Sequence, residues 1–112
     1  GHVKVSVLDK NAPASYSRAI VGTLLRETWE HDGLLITDDF SMGAITRGKP
    51  GIGAAAVKAL NAGVDFLLLS YSEKHLNAMY SALIAADEAG EIDEEGRSES
   101  RIRIDRVFEV RP

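Results

Sequence analysis

The sequence predicts an α/β fold, a parallel β-α-β-α-β-α unit followed by a charged tail, as one domain over residues 1–112. Three observations carry that expectation. The opening stretch alternates apolar and polar residues, two short apolar runs follow further along, and segments with helical spacing come after each. Strands joined through helices in one sheet run parallel with right-handed crossovers.

In the first stretch, HVKVSVL, Val3, Val5 and Val7 fall on one face and His2, Lys4 and Ser6 on the other, the two-residue period of a strand. The turn-rich DKNAPAS follows. Ser17 then suits a helix cap, and Ile20, Val21, Leu24, Leu25 and Trp29 recur at helical spacing, which predicts a helix over Ser17 to Trp29. Gly33 suits the turn after it. Leu34 to Thr37 reads as a short strand buried on both faces, as parallel strands are.

The glycine-rich MGAITRGKPGIG reads as an irregular loop. An alanine-rich helix over Ala54 to Ala62 ends at Gly63 and leads into a third strand, VDFLLLS. Ser72 suits the cap of the next helix, whose apolar stripe is Leu76, Met79, Tyr80, Leu83 and Ile84. The charged remainder, residues 91–112, reads as a terminal helix on the outside of the fold, anchored by Ile102, Ile104, Val107 and Phe108.

Composition narrows the function. A net charge of -4 and a pI near 5.3 argue against a nucleic-acid surface, which needs a basic footprint. The longest apolar run, Val64 to Leu69 with Asp65 inside it, is far short of a membrane span, so no membrane partner is expected. The absence of cysteine excludes disulfides and thiolate metal sites and suits a reducing, cytoplasmic compartment. His2, His31 and His75 have no metal-ligand spacing, so neither metal nor cofactor is expected.

The chemistry-bearing feature is GLLITDDFSM, where an apolar strand ends in Asp38 and Asp39. Reactive groups of parallel α/β folds collect at the carboxyl ends of strands. A carboxylate there, half desolvated and open to a cleft, suits a nucleophile or a general base. Neighbouring strand residues point to opposite faces, so the two carboxylates do not form an acid/base pair on one substrate atom. The pattern serves equally for an aspartate that caps a short helix or ties down the loop.

LLRETWEHDGLLITDDFSM resembles the active-site signature of glycoside hydrolase family 3: two aliphatic residues and Arg26, then Gly33, an apolar strand, Thr37-Asp38 and Ser41. TDDFSMGAI is most similar to the bacterial β-N-acetylhexosaminidase branch. Thr28 departs from the signature, which prefers a charged or amide side chain there. PASYS, KALNAGVDFLLL and SESRI are similar to family segments in the same order. The resemblance implies a (β/α)8 TIM barrel, of which the chain would be the last three βα repeats, with His2, Lys4 and Ser6 facing its interior. It implies retaining hydrolysis of β-glycosidic bonds, of terminal N-acetyl-β-glucosaminides, with Asp38 as nucleophile. His2, Asp39 and Met42 become substrate-binding candidates, with Asp39 alternatively orienting Asp38 or its loop.

The branch's acid/base, a histidine paired with an aspartate in a Lys-His…Gly-His context, has no counterpart in this sequence. A complete barrel takes about 250 residues. The chain is therefore expected to be catalytically incomplete alone, and to self-associate or pair with the missing barrel portion across its open strand edges. A rival reading is a non-catalytic binding or signalling module of receiver type. That type needs an acidic pair after the first strand and an aspartate ending the third, whereas these segments end in Leu8-Asp9 and Ser70.

Overall fold

A computed structural model describes residues 1–70 and 72–109. The chain is mainly helical: a 3-10 turn over Ala14–Tyr16, a π-helix over Arg18–Thr28, and helices α1 (Gly43–Thr46), α2 (Ile52–Ala62), α3 (Glu73–Glu88) and α4 (Glu94–Phe108). Residues 110–112 of the expected terminal helix lie outside the described residues.

The starts of the helices follow from their caps. Ser17 Oγ accepts the Ile20 N–H at 3.1 Å, and its own hydroxyl donates to Asp9 Oδ2 at 2.6 Å. Asp9 Oδ1 accepts the N–H groups of Asn11 and Ala12, so one carboxylate organises the DKNAPAS turn and the helix start together. Ser72 and Asp93 cap α3 and α4 through the N–H groups of His75 and Gly96, each at 3.1 Å. The π-helix stops at Thr28, before Gly33. Glu30 takes the positive φ of the turn (53°), and Arg26 Nη1 donates to the carbonyls of His31 and Gly33 at 2.7 and 2.6 Å. Gly63, at φ 120°, closes α2, a conformation that strains a side chain.

α2 packs against both α3 and the π-helix. Its alanines make close approach possible: Ala55, Ala56, Ala59 and Ala62 are buried with Tyr16, Val21, Phe40, Ile45, Val64 and Met79. Leu35, Leu67 and Leu69 pack against this core from the extended segments.

The expected parallel β-α-β-α-β-α unit does not form. Among the described residues the β pairing is one isolated parallel bridge, Ile36 to Phe66, and there is no sheet. Residues 34–37 and 64–69 run side by side. Thr37 N–H donates to Phe66 C=O (3.0 Å), the Asp65 and Phe66 N–H groups to Leu35 C=O (3.0 and 3.1 Å), and Phe40 N–H to Leu68 C=O (2.9 Å). The first segment does not join them. Leu8 and Asp9 N–H turn back onto Val5 C=O, and Val3, Val5 and Val7 are exposed.

The reason is physical. Alternation makes a strand only where a neighbour pairs its backbone and covers its dry face. Two strands without a third are marginal, and parallel pairing is the weaker kind. The description as the last three repeats of a (β/α)8 TIM barrel is accordingly corrected. Lys4 and Ser6, expected to face a barrel interior, are exposed to solvent.

One buried ionic cluster ties the extended segments to the helices. The Asp65 side chain is fully buried and accepts from Leu35 N–H (2.9 Å), Ser100 Oγ (2.7 Å), Arg103 Nε (3.0 Å) and Nη2 (2.9 Å), and Arg26 Nη2 (2.8 Å). Arg26 also donates twice to Gly63 C=O. Burial alone would raise the Asp65 pKa, but the bonds from Arg103, Ser100 and Leu35 outweigh it and hold the carboxyl below its ordinary value. The cluster joins both extended segments, whose far ends meet where Ser70 bonds to Asp39.

Candidate active site

The site grows from the ends of the two extended segments. Thr37 is buried, and its Oγ1 accepts the Leu68 N–H at 3.0 Å, which aligns the two chain ends. Phe40 is fully buried and sits edge-on to the His2 ring, 5.5 Å between centroids at 77°. Asp38 and Asp39 lie between these two anchors, and their environments differ.

Asp38 is the open carboxylate. Its side chain is 42% exposed. Oδ1 accepts the Asp39 N–H at 2.7 Å, and Oδ2 accepts from the Gly1 ammonium group.

Asp39 is the closed carboxylate. Oδ1 accepts from Ser41 N–H (2.8 Å), Ser41 Oγ (2.8 Å) and Ser70 N–H (3.1 Å), and Oδ2 accepts from the Ser70 hydroxyl. Four donors occupy about all the lone-pair sites a carboxylate offers. The Ser70 hydroxyl first, then the Ser41 N–H and hydroxyl, hold its pKa far below the ordinary value. The doubled aspartate therefore divides its roles: one group is fixed into the loop and the other is left open.

His2 is held on both ring nitrogens. Nε2 lies 2.6 Å from the Asp39 carbonyl oxygen and Nδ1 2.6 Å from Ser15 Oγ. A carbonyl only accepts, so Nε2 carries a hydrogen; in the neutral ring Nδ1 then accepts the Ser15 hydroxyl. Met42 is 40% exposed and precedes α1. The structure thus brings His2, Asp38 and Asp39 into one cluster, with Met42 on the following turn. Sequence reasoning did not single out Ser15 or Ser70 as site residues. The signal for Ser70 was its position, ending the third apolar run as Asp38 ends the second.

Among the described residues no group of histidine and carboxylate side chains is placed to hold a metal ion. No helix among them is long and apolar enough to cross a membrane. A concavity between the π-helix and α4, lined by Arg26, His31 and Arg103, lies away from this cluster.

Residues 1–107 match the family described as "Glycosyl hydrolase family 3 N terminal domain". Over 108 residues the chain is 32% identical to Beta-hexosaminidase LpqI of Mycobacterium tuberculosis, covering 93% of this chain and 28% of that protein, and the Mycobacterium bovis protein of the same name gives the same values. It resembles the solved structure of a glycoside hydrolase family 3 β-N-acetylglucosaminidase from Paenibacillus, at 37% identity and a TM-score of 0.77, over 84% of this chain and 18% of that one. It also resembles M. tuberculosis LpqI (31%, TM-score 0.81, 100% and 34%) and the β-N-acetylglucosaminidase of Thermotoga maritima (28%, 0.82, 95% and 24%). The chain spans 28% of the length of the curated relatives it matches. With the family match running unbroken from residue 1 to residue 107, the chain belongs to glycoside hydrolase family 3.

Proposed function

We propose that this chain carries the nucleophile of a retaining glycoside hydrolase acting on terminal N-acetyl-β-glucosaminides, and that Asp38 is that nucleophile. The observation that carries the reading is the contrast within the aspartate pair: Asp39 is saturated by four donors, whereas Asp38 is 42% exposed beside it. The names of the relatives support the sugar class.

In the first step an Asp38 carboxylate oxygen bonds to the anomeric carbon as the bond from that carbon to the aglycone oxygen breaks. The electron pair of that bond leaves with the aglycone oxygen, which takes up a proton. Water then attacks the same carbon, the ester bond to Asp38 breaks, and the carboxylate is restored while the water's proton passes to the base. Asp38 needs a second group to donate and recover that proton. His2 is poorly placed for it, since both ring nitrogens are engaged by Ser15 and Asp39. The reading therefore has the acid/base supplied by other residues of the whole protein, and the chain catalytically incomplete alone. The same reading expects the exposed Val3, Val7, Ile36 and Leu68 to be covered by those other parts or by a second copy. His2, through its hold on the Asp39 carbonyl, and Met42, beside the loop, are assigned to the sugar-facing wall.

The experiment is turnover of an aryl N-acetyl-β-glucosaminide by the whole protein and by its Asp38→Asn variant. Turnover lost in the variant with melting unchanged supports the reading, and an active variant removes Asp38 from the role.

A further inference from the structure

The loop that follows residues 34–37 and the end of the segment 64–69 are joined at one point. Asp39 accepts from both the N–H and the hydroxyl of Ser70, 31 positions away in sequence. The same carboxylate accepts from both donors of Ser41. On the other side of this residue, the backbone carbonyl of Asp39 receives His2 Nε2–H, with His2 fixed in turn by Ser15. The backbone N–H of Asp39 is the donor to Asp38 Oδ1 at 2.7 Å. Every polar group of Asp39 is therefore committed: the carboxylate to Ser41 and Ser70, the carbonyl to His2 and the Met42 N–H, the N–H to Asp38.

We propose that Asp39 and Ser70 form a clamp that positions the Asp38 carboxylate for attack, so that both are positioning residues for the reaction and neither contacts the sugar. This rests on the assignment of Asp38 as nucleophile; of the two roles the resemblance left to Asp39, binding substrate or orienting Asp38, it selects the second and adds Ser70 as the partner that makes it work.

Ser70 is exposed and Asp39 half-buried, so neither contributes the apolar burial that would make it a core residue. What their bonds do is hold the peptide N–H that grips Asp38 in register with the neighbouring segment. Charge-assisted bonds from hydroxyl and N–H donors are the strong kind. A shift of about 1 Å in a reacting group costs on the order of a hundredfold in rate. Removing Ser70 Oγ frees one carboxylate oxygen and loosens the join, while leaving the core beneath, Phe40 and Ile45, in place.

The test uses the whole protein and compares Ser70→Ala, Ser70→Thr, Asp39→Asn and the double variant Asp39→Asn/Ser70→Ala, with Asp38→Asn as reference. Steady-state kinetics on an aryl N-acetyl-β-glucosaminide are measured beside thermal melting. The clamp predicts that Ser70→Ala and Asp39→Asn each lower kcat by about tenfold to a hundredfold with KM changed less than about threefold. It predicts that the double variant loses no more than the worse single one, and that Ser70→Thr, which keeps the hydroxyl, recovers most of the rate. Three results overturn it: kcat unchanged in both single variants, KM raised with kcat unchanged, or losses that follow a fall in melting temperature and are not rescued by threonine. If Asp38→Asn retains turnover, the nucleophile assignment fails and the clamp with it. If Asp38→Asn is inactive while the clamp variants keep full kcat, only the clamp fails.

Discussion

Replacing Asp65 by alanine is expected to cost this fold about 3–4 kcal/mol, and the value follows from what the carboxylate leaves behind. Arg103 and Arg26, whose side chains are 7% and 13% exposed, both lose their buried counter-charge. Removing one partner of a buried pair costs about 3–5 kcal/mol because the stranded charge stays out of water. The lower part of that range applies, since Arg26 keeps the carbonyls of His31, Gly33 and Gly63. The Leu35 N–H and Ser100 hydroxyl also lose their acceptor. A domain of this size is stable by about 0.05–0.15 kcal/mol per residue, so the loss is a large share of the total. At about 4 °C per kcal/mol, melting should fall by about 12–16 °C. Urea unfolding followed by far-ultraviolet circular dichroism measures it, with the midpoint lowered and the slope unchanged. A loss below about 1 kcal/mol would refute the reasoning.

The same carboxylate predicts a pH dependence. Its folded pKa is depressed, so its contribution is complete above the unfolded value of about 3.9 and is lost as pH falls through the folded value. Stability should therefore drop in acid below about pH 4, and Asp65→Asn should show a shallower drop over that interval.

Phe40→Ala, at a fully buried site against the His2 ring, should cost about 3–5 kcal/mol in urea unfolding; a cost under about 1 kcal/mol would mean the loop carrying Asp38 is not anchored there. Gly53→Ala should destabilise by about 1–3 kcal/mol, because the added Cβ would lie 2.6 Å from that of Ala82 where α2 meets α3. A raised melting temperature, the usual gain of alanine in a helix, would contradict that contact. Asp38→Asn should leave melting unchanged, since the side chain is 42% exposed, while abolishing turnover in the whole protein.

Helices were legible because their signals are local. Ser17 and Ser72 cap where their hydroxyls predicted; of the expected apolar stripes, Ile20, Val21 and Met79 are buried, whereas Trp29, Leu76, Tyr80 and Ile84 are exposed. Strands were not, because a strand depends on neighbours a sequence does not display. Val3, Val5 and Val7 alternate cleanly yet point into solvent, and Leu34 to Thr37 gains a single bridge. Ile36 is exposed although its run reads as buried on both faces, and Leu68 is exposed inside the third apolar run.

The aspartate pair was half legible. Opposite faces for adjacent residues already separated Asp38 from Asp39, but which would be tied down depended on Ser70, 31 residues on from Asp39. Sequence spacing had nothing to say about that meeting. Asp65 was passed over for a similar reason: it interrupts an apolar run, and only the fold shows Arg26 and Arg103 converging on it.

The most direct test of the central claim is covalent trapping of the whole protein with a mechanism-based 5-fluoro-N-acetylglucosaminyl fluoride, followed by peptide mapping. The glycosyl adduct should appear on the peptide containing Asp38 and vanish in Asp38→Asn. An adduct on any other residue, or one that persists in the variant, would contradict the assignment.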